Sequence, residues 1–135
     1  MKNFQSFDLL LEYVDGGEIH KMYAERNEEL LFYWLYQLCL GLKCLHCHNI
    51  IHRDIKYSNI LVNSHNIVKI CDFTLAHFLI KEEEEVKKKT GTLAFMPPEF
   101  LLDSKVSPLT DVWELGITFY GLTHRKPAFK TNGDY

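Results

Sequence analysis

The sequence has 135 residues, 47% of them hydrophobic and 24% charged, which allows one domain or part of one and excludes a disordered or fibrous chain. Its formal net charge of −3 leaves no basic surplus to neutralise a phosphate backbone or an anionic membrane, so neither nucleic acid nor membrane is an expected partner. No apolar run approaches the roughly 18 residues of a membrane span and Met1-Lys2-Asn3-Phe4-Gln5 lacks a signal peptide's apolar core, so the expected setting is cytoplasmic, with Cys39, Cys44, Cys47 and Cys71 as reduced thiols.

In chain order, Phe7 to Val14 is short and apolar and reads as a strand, which Asp15-Gly16-Gly17 ends as a turn. Leu31, Leu35, Leu38, Leu42 and Leu45 recur at steps of four, three, four and three, which predicts a helix from about Glu28 to Cys47 with one stripe packed in a core. The helix runs out through Cys44-Leu45-His46-Cys47-His48, a C-x-x-C-H spacing that suits haem attachment or could be imagined as zinc ligation. Those residues continue the helical stripe and no second Cys/His pair closes a zinc site, so neither reading is adopted.

Ile60 to Val62 and Ile67 to Ile70 read as an antiparallel ribbon joined by Asn63-Ser64-His65-Asn66. Lys81 to Lys89 is a charge run, KEEEEVKKK, in which Glu83, Glu84 and Glu85 each stand four residues before Lys87, Lys88 and Lys89; it reads as a solvated loop or helical turn. Asp111 to Leu122 spreads Val112, Trp113, Leu115, Ile117, Phe119 and Tyr120 too widely for a surface stripe, and such a helix belongs in an interior.

His52-Arg53-Asp54-Ile55-Lys56-Tyr57-Ser58-Asn59 fits the pattern H-R-D-x-K-x-x-N, and Asp72-Phe73-Thr74 follows thirteen residues after Asn59. Together they resemble the catalytic loop and metal-binding segment of eukaryotic-type serine/threonine protein kinases. Transfer of a γ-phosphoryl group needs a carboxylate to orient the acceptor hydroxyl and hard oxygens to hold magnesium against phosphate charge. Asp54 fits the first need; Asn59 and Asp72 fit the second. By the resemblance, Lys56 is a cation beside the γ-phosphate, and lysine at that place is similar to serine/threonine rather than tyrosine kinases. Gly91 to Glu99 resembles the G-T-x-x-[YF]-M-A-P-E end of an activation segment and is also similar to calcium/calmodulin-dependent kinase kinases. Asp111-Val112-Trp113-Glu114-Leu115-Gly116 resembles the D-V-W-S-x-G start of the buried helix in the larger lobe.

The segment Leu9 to Glu18 resembles the hinge between kinase lobes. The match implies that the Glu12 carbonyl and Val14 amide hold adenine, that Leu11 is the gatekeeper, that Glu18 reaches the ribose and that Leu61 packs beneath the base; Cys71 is counted with these ATP-binding residues. ATP and Mg2+ are the implied cofactors, and a protein with a Ser/Thr acceptor the implied substrate. Arg53 is the implied receiver of a phosphate on Thr90, because guanidinium and phosphate pair bidentately, while Thr92 is expected to contact the catalytic loop. Alternatively, Glu82 to Glu85 offer carboxylates to Arg53 in place of that phosphate.

The sequence departs from the family pattern in places. Thr74 stands where D-F-G has glycine, and if the site needs a positive φ a β-branched residue there costs about 1–3 kcal/mol. Ser58 replaces the acidic residue often found before the metal-binding asparagine. The implied fold is α+β and protein-kinase-like: residues 1–17 as the last small-lobe strand and hinge, 18–135 as a mainly helical large lobe, truncated at both ends. The family's glycine-rich loop, β3 lysine and αC glutamate have no room before Phe4 and are expected to be missing from this chain, as is the arginine partner of Glu99. Such a chain suits an enzyme of this family or a catalytically inactive, pseudokinase-like binding fragment. Half a dozen uncovered side chains on Val112 to Tyr120 would forfeit about 10 kcal/mol, so the chain is expected to be sticky unless a partner protein covers it.

Overall fold

In the computed structural model, which describes residues 8–23, 27–86 and 90–129, the elements run β1 (Gly17–Glu18), α1 (Ile19–Met22), α2 (Glu28–Cys47), β2 (Ile50–Ile51), β3 (Ile60–Val62), β4 (Val68–Ile70), β5 (His77–Phe78), β6 (Glu84–Glu85), α3 (Pro98–Asp103), β7 (Lys105–Val106) and α4 (Pro108–His124). All strand pairs are antiparallel: β1-β3-β4 form one sheet, β2-β5 and β6-β7 two small ribbons. The mixed helix and strand content agrees with the expected α+β class.

Helix α2 has the predicted bounds, and its start is fixed by Asn27, whose side chain accepts the Leu30 N–H at 3.0 Å. Leu31, Leu38 and Leu42 of the stripe are buried together with Trp34, while Leu35 and Leu45 pack at its margin. By length and composition α2 would also pass as a membrane span, contrary to the sequence expectation. Its apolar row nevertheless packs on the chain's own core, against Ile19, Ile55, Ile60, Val62 and Val68 and against Leu115, Phe119 and Leu122 of α4. Helix α4 begins at a reciprocal cap: Ser107 Oγ accepts the Leu109 N–H, the Thr110 hydroxyl accepts the Ser107 N–H, and Pro108 starts the first turn.

The β3-β4 ribbon pairs Ile60 with Ile70 and Val62 with Val68, and the side-chain amide oxygen of Asn63 accepts the His65 and Ile67 N–H groups to close its turn. Its third strand, β1, was not expected. Gly17 opposes Val62 with φ at +101°, and a Cβ on Gly16 would meet the Val62 carbonyl oxygen at 2.1 Å, so both glycines are needed for this close approach. Asp15 anchors the same turn by accepting the Ser64 N–H and hydroxyl, which hold its carboxyl below the usual range.

Three expectations need correction. Phe7 lies outside the described residues, and residues 8–14 form no strand: Leu9, Leu10, Leu11 and Tyr13 are exposed and the segment has no ladder partner among the described residues, without which extended backbone is not a strand. The acidic run is not simply a solvated loop or helical turn, because Glu84–Glu85 form β6, Glu85 opposing Lys105 while Glu83 reaches Lys105 Nζ at 3.0 Å. Its expected partners Lys87, Lys88 and Lys89 lie outside the described residues.

Helix α4, third, is better covered than expected. Of its apolar side chains between Val112 and Tyr120, Leu115 and Phe119 are buried, and only Val112 and Tyr120 are exposed. Exposed apolar surface lies instead on residues 9–13 and on the outer face of α2, at Phe32, Tyr33, Tyr36 and Leu40. Because Leu38 sits at the centre of the α2 row with 1% exposure, Leu38→Ala is expected to cost about 2–5 kcal/mol. A denaturant midpoint unchanged by that substitution would show that this row is not the core.

Candidate active site

The segment from His52 to Ile55 has no strand or helix to satisfy its N–H groups; side chains of α4 accept three of them, and His52 Nδ1 accepts that of Asp54 at 3.3 Å. Asp111, fully buried, accepts the His52 N–H at 3.0 Å through Oδ2 and the Arg53 N–H at 2.8 Å through Oδ1. His46 of α2 adds a third contact, its Nε2 lying 2.8 Å from Asp111 Oδ2. One turn on, Glu114 Oε2 accepts the Ile55 N–H at 2.8 Å, and the Thr118 hydroxyl donates to the Ile55 carbonyl at 3.2 Å. Arg53 can then take a left-handed conformation, φ +69°, that turns the chain toward Asp54.

Asp54 stands at the centre of the resulting cluster. The Asn59 side-chain amide donates to its carbonyl at 2.8 Å and to Oδ2 at 2.9 Å, Lys56 Nζ pairs with Oδ2 at 2.8 Å, and the Thr92 hydroxyl donates to Oδ1 at 2.9 Å. Lys56 Nζ also donates to Thr92 Oγ1 at 2.8 Å, which closes the ring. A carboxylate, a lysine amine and a side-chain amide are thus presented together by one loop and Thr92.

Asp72 adjoins this cluster through its neighbour. The Cys71 N–H donates to the Asn59 carbonyl at 3.0 Å, His52 Nε2 donates to the Cys71 carbonyl at 2.9 Å, and the His52 and Phe73 rings meet edge to face at 4.9 Å. The Asp72 carboxyl is exposed and its pKa is held below the usual range, first by the Thr74 hydroxyl and N–H that it accepts, then by the His52 and Lys56 charges. The positive φ of this turn falls on Asp72, at +63°, and not on Thr74, which lies in a short 3₁₀ turn; the strain expected from Thr74 is absent. An ionised Asp72 and the hard oxygen of Asn59 fit magnesium, which takes few protein oxygens alongside phosphate and water. Among the described residues no group of three or more His, Cys, Asp or Glu could hold a metal, and His46, a candidate zinc ligand by spacing, is committed to Asp111.

The nucleotide-side residues divide into two sets. Glu18 opposes Leu61 in the sheet and acts electrostatically on Cys71, whose thiol is pushed up mainly by burial, so these three lie together beside Asp72. Leu11, Glu12 and Val14 lie on the strandless segment; Leu11 and Glu12 are exposed, and Glu12 reaches back to Lys69, the partner of Leu61, at 3.0 Å.

The protein kinase domain profile matches residues 1–135, the whole chain. The chain belongs to the protein kinase family. It is 35% identical over 127 residues to serine/threonine-protein kinase Nek3 of Oryza sativa subsp. japonica, covering 90% of this chain and 22% of that protein. It is 44% identical over 116 residues to mitogen-activated protein kinase 3 of Arabidopsis thaliana, covering 85% of this chain and 31% of that one. The chain therefore spans less than a third of the length of these relatives.

Of the residues expected to act in regulation, an Arg53 guanidinium nitrogen donates to Thr90 Oγ1 at 3.1 Å, and the guanidinium stacks 5.7 Å above the Phe100 ring. The acidic run is engaged elsewhere: Glu84 holds His77 Nε2 at 2.9 Å and the Ile80 and Lys81 N–H groups, and Glu83 holds Lys105. The substitution of its carboxylates for a phosphate on Arg53 is not what these contacts show.

Sequence reasoning missed the polar face of α4. Asp111 and Glu114 entered it only within the D-V-W-S-x-G resemblance, and Thr118 drew no reading; the available signal was an interior helix carrying two acids at i and i+3, which burial obliges to find donors. Removing Asp111 strands two buried N–H groups at about 1–3 kcal/mol each. Asp111→Ala is therefore expected to accelerate amide exchange at His52 and Arg53 strongly; unchanged protection at both would contradict this account of the loop.

Proposed function

We propose that this chain supplies the catalytic loop and metal-binding residues of an ATP-dependent protein serine/threonine kinase. The observation that carries the reading is the closed hydrogen-bond ring of Asp54, Lys56 and Thr92, with Asn59 donating to Asp54, next to Asp72. Asp54 orients the acceptor hydroxyl and takes its proton; Lys56, already paired with Asp54, supplies positive charge on the side facing the transferring phosphoryl group. Asn59 and Asp72 would hold Mg2+, and Mg-ATP supplies the γ-phosphoryl group and the offset of its charge. Thr92 fixes one Asp54 oxygen until a substrate hydroxyl competes for it.

In this reading residues 1–17 hold the end of the small lobe and the hinge, residues 18–135 belong to the larger lobe, and Glu18, Leu61 and Cys71 border the nucleotide; β1, at Gly17–Glu18, carries the end of the hinge onto the β3-β4 ribbon. Lysine at position 56 supports Ser or Thr as acceptor, as do the relatives named above. Thr90 is the proposed phosphate acceptor, since Arg53 already donates to it and Arg53 Nε is buried with no hydrogen-bond partner among the described residues, leaving donor capacity for a phosphate oxygen. The four cysteines are free thiols, in keeping with a setting inside the cell.

In the full protein, Asp72→Ala is expected to abolish magnesium-dependent ATP binding. Asp54→Asn should leave that binding in place and slow transfer to a Ser/Thr peptide by about 10²–10⁴-fold. Thr90→Ala should lower activity without changing ATP affinity. Magnesium-dependent binding that survives Asp72→Ala, or undiminished transfer by Asp54→Asn, would contradict the assignment.

A further inference from the structure

Glu114 occupies an unusual position for an acid. It is 3% exposed, sits where the resembling motif carries serine, and spends its carboxyl on one backbone N–H, that of Ile55, the residue bonded to Asp54. We infer that Glu114, through the hydrogen bond it accepts from Ile55, sets the orientation of Asp54 and is a positioning residue for phosphoryl transfer. The inference rests on the kinase reading above and assigns to that site a residue on α4 that touches neither nucleotide nor acceptor.

The geometry holds the Asp54 backbone from α4 on both sides, in addition to His52 Nδ1, which accepts its N–H at 3.3 Å, and the Asn59 amide, which donates to its carbonyl at 2.8 Å. On its N-terminal side Asp111 fixes His52 and Arg53; on its C-terminal side Glu114 fixes the Ile55 N–H, and the Thr118 hydroxyl binds the Ile55 carbonyl at 3.2 Å while donating at 2.9 Å to the Glu114 carbonyl. Loss of the Asp111 hold would free the chain before Asp54; loss of the Glu114 hold would leave the peptide that follows it held on its carbonyl side alone, by Asn59, and so loosen the direction of the Asp54 Cα–Cβ bond. A catalytic carboxylate tolerates little such freedom, since small misplacement of a reacting group costs a large factor in rate.

The same site makes the hold sensitive to protonation. Glu114 shares its surroundings with Asp111 on its own helix and with Asp54 and Arg53 of the loop; His46 of α2 reaches it only through Asp111, and Lys56 is tied to Asp54. Burial, more than any charge, pushes its carboxyl up to about 8; the Asp111 and Asp54 charges push the same way, and the Ile55 N–H and Arg53 oppose them. The group is therefore mostly neutral near pH 7. A neutral Glu114 accepts the Ile55 N–H without setting a third negative charge beside Asp54 and Asp111. Above the folded pKa it ionises, repels Asp54 and competes for Arg53. The sign for stability follows: between an unfolded pKa near 4.5 and about 8 the folded state binds more protons, so stability falls as pH rises through that window and levels above it.

The test uses the full protein with Mg-ATP and a Ser/Thr peptide, and three forms: wild type, Glu114→Gln and Glu114→Ala. Glu114→Ala is expected to speed Ile55 amide exchange and lower kcat at least tenfold, with the KM for ATP within about twofold of wild type. Glu114→Gln keeps an acceptor oxygen for Ile55 and is expected to recover most of the lost kcat. It should also lack the fall in activity that wild type shows above about pH 8, because an amide does not titrate. An alkaline limb identical in Glu114→Gln and wild type would overturn the inference, as would unchanged Ile55 exchange and kcat in Glu114→Ala. Wild-type protein that transfers no phosphate at any pH would instead remove the kinase reading on which the positioning role stands.

Discussion

A loop that must bring a carboxylate, a cation and an amide oxygen to one point cannot satisfy its own N–H groups, because its backbone follows the needs of the side chains and not a repeating ladder. Here the buried acids of α4 meet that need. Asp111 and Glu114 accept three of the four N–H groups from His52 to Ile55, those of His52, Arg53 and Ile55, and Asp54 sits within the stretch they hold. Burying two carboxyl groups in an apolar helix is costly, and the cost is offset only while the loop supplies donors. Helix and loop therefore stabilise each other.

The α2 helix completes the arrangement from the other side. Its apolar row packs against Ile55 and Ile60, which bracket Lys56 and Asn59 in sequence, and its last turn sends His46 to Asp111. The site is thus bound to the core at both ends of the loop. Chemistry-bearing residues alternate with core residues over His52 to Val62: His52, Asp54 and Asn59 face the site while Ile55, Ile60 and Val62 are fully buried. A substitution in either set disturbs the other.

Much of this was legible in the residues. The leucine steps defined α2 because helical periodicity is long and regular there, and the ribbon around Asn63 to Asn66 followed from β-branched residues either side of a polar turn. Asp54, Lys56 and Asn59 lie within six residues of one another, so their proximity needed little tertiary information. What was not legible depended on long-range contacts: Asp111 and Glu114 are 59 residues from the N–H groups they accept, and no local pattern joins them. Thr74 misled for a related reason, since D-F-G lore places the unusual backbone at its third residue whereas here the left-handed residue is Asp72 and the Thr74 hydroxyl serves as its partner. Residues 8–14 have strand composition, but a strand exists only with a neighbour to bond, and their partner is not among the described residues.

The central claim is spatial: Asp54, Asn59 and Asp72 face one site that accepts a divalent cation with a nucleotide. Manganese is a paramagnetic substitute for magnesium, and NMR spectra of the protein with ATP and trace manganese report which residues lie near the ion. The account predicts selective broadening at Asn59, Asp72 and Thr74, with Cys44 and Cys47 at the end of α2 unaffected. Broadening centred elsewhere, or none that requires ATP, would contradict it.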